Sequence, residues 1–302
     1  MNKRSLGFLA AFGATLIYGF NHTIAKNVMP TYIEPFGFIL LRVLGASILF
    51  WTLSLFYKGS SIEKKDWPRI VLCSFLGMVI NMLSFFKGLE LSTPVNSSIL
   101  ITIAPILVFI FSAIILKEKI RAMKALGIIS GFIGAITLIL YTAKTGLNAP
   151  NIPLGNSLFI LNSATYGLYL ILIRPMIAKY DLITLLKWLF TIGFLINLPV
   201  TYSEFLNVSW NTLPLYDAIL PMIYVVLGTT FFTYLLNAFA LKNLTASSVS
   251  SFIYLQPIVG IVYAIGTKND TLTFITSRLL DLISPHSSDF SDLQSSLDIA
   301  PQ

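Results

Sequence analysis

Val95–Leu116 reads VNSSILITIAPILVFIFSAIIL before the chain meets Lys117-Glu118-Lys119. The run holds no Asp, Glu, Lys or Arg. At about 1.5 Å per residue, a helix of this length crosses a hydrocarbon core roughly 30 Å thick. Lipid admits only helices or closed barrels as spanning structures, and this run lacks the alternation of a barrel strand. It reads as a transmembrane helix. Runs of the same kind lie on either side, at Leu6–Ala25, Pro35–Phe56, Ile70–Leu89, Ala125–Thr142, Leu154–Ile173, Ile183–Val200, Leu215–Leu236 and Ser247–Gly266. Each is bounded by charge, Pro or Asn. The expected fold class is therefore an all-α integral membrane protein with nine clear transmembrane helices, joined by loops too short to hold a soluble domain.

Composition agrees. Of the 302 residues 56% are apolar and only 11% charged, with a mean hydropathy of +0.81. A soluble domain carries roughly 25% charge, which excludes an ordinary soluble enzyme and any disordered or fibrous class. The net charge of +7 would raise the question of nucleic acid in a soluble chain. Here its distribution says orientation. One side of the spans collects 13 Lys and Arg (Lys3, Arg4, those of the 58–69 and 117–124 loops, Arg174, Lys179, Lys242), the other 4 (Lys26, Lys87, Lys144, Lys268). By the positive-inside rule the N-terminus is expected in the cytoplasm, in a multi-pass protein of the cell membrane. Nucleic acid is not an expected partner. A small-molecule substrate and the lipid bilayer are, and a homodimer is left open. The single Cys73 excludes an internal disulfide and gives no metal cluster. No cofactor is expected, nor a cleavable signal peptide.

The two halves echo each other. Leu6-Gly7 followed by Tyr18-Gly19 matches Leu154-Gly155 followed by Tyr166-Gly167, at an offset of 148. Thr93, Ser98, Ile101 and Pro105 match Thr245, Ser250, Ile253 and Pro257 at an offset of 152. Leu76-Gly77 and Leu227-Gly228 correspond more loosely. The first half holds five spans, an odd number, so the second enters the membrane from the opposite side. Such inverted-topology repeats characterise secondary transporters.

With that repeat, the sequence resembles the EamA-type branch of the drug/metabolite transporter superfamily, over about residues 5 to 270. The resemblance rests on Tyr18-Gly19 in the first span, Arg42 early in the second and Ala104-Pro105 in the fourth. Leu-Lys-Glu-Lys at 116–119 is similar to the family's Leu-Gly-Glu, and Gly127, Gly131 and Gly134 follow its glycine spacing. The resemblance implies ten helices in two five-helix repeats, both termini cytoplasmic, and export or exchange of small metabolites. The expected organisation is a first repeat of five helices over 1–146 and a second of four over 150–270. The tail at 271–302 carries Arg278, Asp281, Asp289, Asp292 and Asp298 and no Gly. It is expected not to span, so the tenth helix is missing.

Candidate site residues follow from the cost of polar groups in lipid. All 13 carboxylates fall in loops, at span ends or in the tail, which argues against a carboxylate proton relay or a two-acid hydrolase. Arg42, well inside the second span, could hold an anionic substrate group or snorkel to the interface; Lys187 occupies the similar place in the second half. His22 could couple protons or simply be hydrogen-bonded near a helix end. The candidate substrate-binding residues are Tyr18, His22, Arg42, Asn81, Asn96, Tyr166, Asn237, Tyr254 and Gln256. Asn162 and Asn197 are further polar residues inside spans, for which helix–helix bonding competes with ligand contact. Pro105 and Pro257 are candidate gates, since proline frees a carbonyl and kinks its helix; a static kink is the alternative. No catalytic or metal-binding set is present.

The reading is a secondary transporter, an exporter or exchanger of small organic metabolites across the cytoplasmic membrane by alternating access, and not an enzyme. The family resemblance implies that spans one, three, four, six, eight and nine supply its cavity. The alternatives are a non-transporting or truncated membrane protein and, behind it, an intramembrane enzyme.

Overall fold

A computed structural model describes residues 2–57, 59–115 and 149–267. Seven helices in it are long and apolar enough to cross a membrane: α1 (Lys3–Val28), α2 (Pro35–Ser54), α3 (Lys64–Leu91), α4 (Pro94–Ile115), α5 (Ile152–Lys179), α6 (Leu182–Leu206) and α7 (Leu215–Asn243). An eighth helical run, α8, occupies 246–266, over the ninth expected span. The fifth expected span, Ala125–Thr142, and the tail at 271–302 lie outside the described residues.

The helices begin where small polar side chains can take the first free N–H groups. Asn2 caps α1, Thr93 caps α4, Asn151 caps α5, Asp181 caps α6 and Thr245 caps α8. At the start of α2 the cap comes from another helix: Glu204, near the end of α6, accepts from the backbone N–H groups of Phe36 and Gly37 at 2.7 and 3.0 Å. The pairing is intimate there, because a Cβ on Gly37 would stand 2.9 Å from the backbone of Glu204. α2 packs along α6, α3 and α4 against α5, and α1 against α7 and α8.

Burial follows the logic of a bilayer rather than of water. Exposed positions carry Leu9, Ile48, Leu55, Phe56, Ile114 and Leu195, while Asn21, His22, Thr23, Asn81, Asn156 and Asn197 are buried. In hydrocarbon a polar group must find its partner inside the bundle. Asn197 shows how: its Nδ2 donates to Met78 O of α3 and to Gly193 O of its own helix.

Besides irregular turns at the starts of α3 (Lys64–Asp66) and α7 (Leu215–Ile219), four segments inside the helices depart from α-helical winding, in two pairs. Phe75–Ile80 in α3 and Tyr224–Phe232 in α7 are wound as π-helix, one around Leu76-Gly77 and the other around Leu227-Gly228. Ile101–Ile103 in α4 and Phe252–Leu255 in α8 are wound as 3₁₀-helix. Pro105 and Pro257 explain the second pair. Each lacks the N–H that would bond the carbonyl four residues back. In α4 Ala104 N–H takes the Ile101 carbonyl instead, and in α8 Gln256 N–H takes that of Ile253, the tighter three-residue bond that defines the 3₁₀ turn.

Candidate functional site

The two 3₁₀ segments line one cavity, and the two π segments touch its lining residues, Thr230 meeting Arg42 and Gly77 meeting Tyr234. A cavity of about 60 Å³ is lined from α1 by Tyr18, Asn21 and His22, from α2 by Arg42 and from α3 by Asn81, Met82 and Phe85. Ile101 of α4, Asn162 and Tyr166 of α5, Tyr234 of α7 and Ile253 and Gln256 of α8 complete the wall. Ile101 and Ile253, 152 residues apart in the sequence, thus meet the same space from opposite halves of the chain. The volume admits only a few waters, far below the ~300 Å³ of a cavity that encloses a drug-sized ligand.

Arg42 brings the one Lys or Arg side chain to this described lining. It is 4% exposed. Its Nε donates to Thr230 Oγ1 at 2.8 Å, and its guanidinium carbon lies 4.7 Å from the centre of the Phe86 ring. Thr230 is available because the π-winding of α7 lets its hydroxyl donate back to Val225 O, five residues earlier, at 2.8 Å. Among the described residues no carboxylate pairs with Arg42. Tyr234, on the same wall, donates its Oη to Gly77 O inside the π-turn of α3 at 3.3 Å.

Across the cavity His22 Nδ1 is 2.8 Å from Ser97 Oγ, and its ring meets Phe85 edge-on at 5.5 Å. Asn81 and Asn162 clasp α3 to α5: each side-chain amide donates to the other's backbone carbonyl, at 3.0 and 2.9 Å. Those bonds occupy the amides, so the pair serves packing as well as lining. Asn21 Oδ1 is buried on the same lining without a partner.

Tyr18, His22, Arg42, Asn81, Tyr166 and Gln256 are therefore brought together, with Pro105 and Pro257 one helical step behind the wall. Three candidates are placed elsewhere. Asn96 is buried in the first turn of α4, where Nδ2 reaches Ser92 Oγ at 3.4 Å. Asn237 stands behind Tyr166 and donates to its hydroxyl at 3.3 Å. Tyr254 is 38% exposed on the outside of α8, since the tight turn aims its neighbours Ile253 and Gln256 inward. Lys187, matched to Arg42 by position, lies over the Trp51 ring at 4.3 Å, away from the cavity. Tyr234, Met82 and Phe85 were not among the candidates. Only the facing of their helices, invisible in apolar runs, brings them in.

Comparison with known proteins adds a name to this geometry. The EamA-like transporter family matches the chain over residues 5–140 and 153–277. An "Uncharacterized transporter" of Archaeoglobus fulgidus is 25% identical over 248 residues, covering 81% of this chain and 83% of its own. The "Uncharacterized transporter YyaM" of Bacillus subtilis is 25% identical over 282 residues, with 91% of each chain covered. A crystal structure aligns with 98% of this chain and all of its own at a TM-score of 0.66 and 16% identity, a likeness of fold.

Proposed function

The chain belongs to the EamA-like transporter family, a multi-pass membrane transporter, and from that premise we propose that it moves a small organic metabolite across the cytoplasmic membrane by alternating access, as an exporter or exchanger. The observation that carries the reading is the pairing of helix irregularities around one polar cavity. A π-turn around a Leu-Gly pair and a 3₁₀ turn just ahead of a proline occur in each half, and Ile101 and Ile253 from the latter both line the site. Interrupted helices at a repeat interface are where alternating-access carriers bind and bend. Two separate matches to the same family support the duplication. With the odd number of spans expected from the sequence of the first half, the two units would be inverted, and exchange of their conformations would open the cavity to either side.

The narrowness of the cavity fits a state between openings: a metabolite enters only when the bundle parts. The recess that Arg4, Arg174 and Lys242 share at one end of the bundle supports a cytoplasmic N-terminus by the positive-inside rule.

The test is two-sided access. An Ile253→Cys variant in a Cys73→Ser background is treated with an impermeant thiol reagent in right-side-out and in inverted vesicles. Modification from both sides is expected, at rates that differ with the conformer population. Modification from one side only, with the lysed control fully reactive, would refute alternating access.

A further inference from the structure

Resting on that reading, the charge balance of the cavity narrows the substrate. Guanidinium offers five N–H donors in a flat fork. Arg42 commits one, at Nε, to Thr230. The two terminal amino groups find no acceptor among the described residues, although the side chain is almost fully buried. Those two groups form the edge that grips a carboxylate with two parallel hydrogen bonds. Cations inside a membrane bundle ordinarily pair with one another's counter-charges or with carbonyls. Two other cations within the described spans have partners: Lys26 donates to three carbonyls, and Lys187 rests on the face of the Trp51 ring. Arg42 is the one Lys or Arg among the described residues that line the cavity.

The described lining therefore brings one positive charge and no negative one. A ligand with one negative charge neutralises it, whereas a phosphate monoester, near −1.5 to −2, overshoots in a medium that screens little. An amino-acid zwitterion leaves the cavity positive and adds an ammonium group for which the described lining has no carboxylate. We propose that the substrate is a small monocarboxylate: its carboxylate sits on the free edge of Arg42, and its body lies against Met82, Phe85 and Ile101. Asn21 Oδ1, unpartnered on the same wall, accepts from a hydroxyl on that body.

Matched probes test it on the purified full-length protein. Lactate, lactamide and alanine have nearly the same size and differ in charge; benzoate and benzamide repeat the contrast with a larger body, and methyl phosphate adds the dianion. A ligand that binds the folded state raises the unfolding midpoint by mass action. Lactate or benzoate should raise it, and the amides, alanine and methyl phosphate should not. Arg42→Gln should weaken the acid response at least tenfold, and Arg42→Lys should keep part of it, having the charge without the fork. Should Arg42→Gln fail to fold, the acid-against-amide contrast in the unaltered protein still decides. Amides as effective as acids, a preference for alanine or methyl phosphate, or no response to any acid at tens of millimolar would overturn the proposal. Radiolabelled uptake into proteoliposomes separates it from the transport reading. Acids that bind but never cross leave the carboxylate site standing and remove transport; benzamide crossing without any acid response does the reverse.

Discussion

Two buried cations in adjacent helices have opposite fates. Lys26, near the end of α1, is 8% exposed and sends its ammonium group to Leu89 O, Glu90 O and Ser92 O at 2.7, 2.8 and 2.9 Å. Those carbonyls close α3, where a helix leaves its last acceptors unpaired and its dipole negative. Arg42, 4% exposed in α2, gives one N–H to a hydroxyl and keeps its fork on the cavity. A buried charge saturated by backbone is a staple between helices. One left partly unsatisfied beside a cavity is a place for a ligand. Burial and charge are the same in both; the difference lies in what the neighbouring helices present.

The contrast breaks most visibly at Lys26. Lys26→Met would strand three buried carbonyls, and we expect a loss on the order of 3–5 kcal/mol, read from denaturant or thermal unfolding in detergent. Arg42→Met should leave stability within about 1 kcal/mol of the parent, or raise it, because an apolar side chain relieves an unpaired buried charge. A Lys26 variant as stable as the parent would erase the distinction.

Next in size is the packing around the same staple. A Cβ on Gly155 would meet Ser92 Cβ at 2.6 Å and Gly88 O at 2.7 Å, both held by the α3–α5 contact. Gly155→Ala should cost roughly 1–3 kcal/mol by overpacking. Gly13, whose nearest neighbour would be Leu236 Cδ1 at 3.7 Å, should accept Ala with no loss or a gain of up to about 1 kcal/mol. If the two substitutions behave alike in unfolding measurements, the stapled end is looser than described.

Asn162→Leu should cost about 1–2 kcal/mol through its reciprocal bonds with Asn81. A double-mutant cycle with Asn81→Leu should show coupling, and additive effects would mean that the amides do not clasp. The smallest effect lies outside the bilayer. Hydrogen bonds from Lys179, at 2.7 Å, and from Lys65 hold the Glu63 carboxyl below its ordinary range. A lowered carboxylate stabilises the fold above its unfolded value and ceases to do so as pH falls through the folded one. Amide exchange in the 60–66 segment should therefore rise on acidification below the usual carboxylate range, and Glu63→Gln should flatten that dependence.

How far the site was legible varies by residue. Tyr18, Arg42 and Tyr166 stood out because a polar or aromatic group deep in an apolar run must face something. The same signal pointed equally to Lys187, which packing turned onto Trp51. Lys26 fell just past the apolar run of α1 and read as a loop charge, though the helix continues to Val28 and buries it. Tyr254 and Gln256 were equal candidates until the 3₁₀ turn of 252–255, which advances about 120° per residue instead of 100°, set one outside and one inside.

By itself the sequence determined that the chain crosses the membrane repeatedly as helices, because lipid offers a backbone N–H or carbonyl no partner and apolar length cannot be disguised. It also marked two of the positions where winding breaks, Pro105 and Pro257, since a proline's missing N–H is a covalent fact. Which faces of those helices meet, and so which polar groups share one cavity, only the tertiary structure decided. The facing of a helix in an apolar bundle is set by side-chain packing among near-equivalent surfaces, and that depends on every neighbour at once.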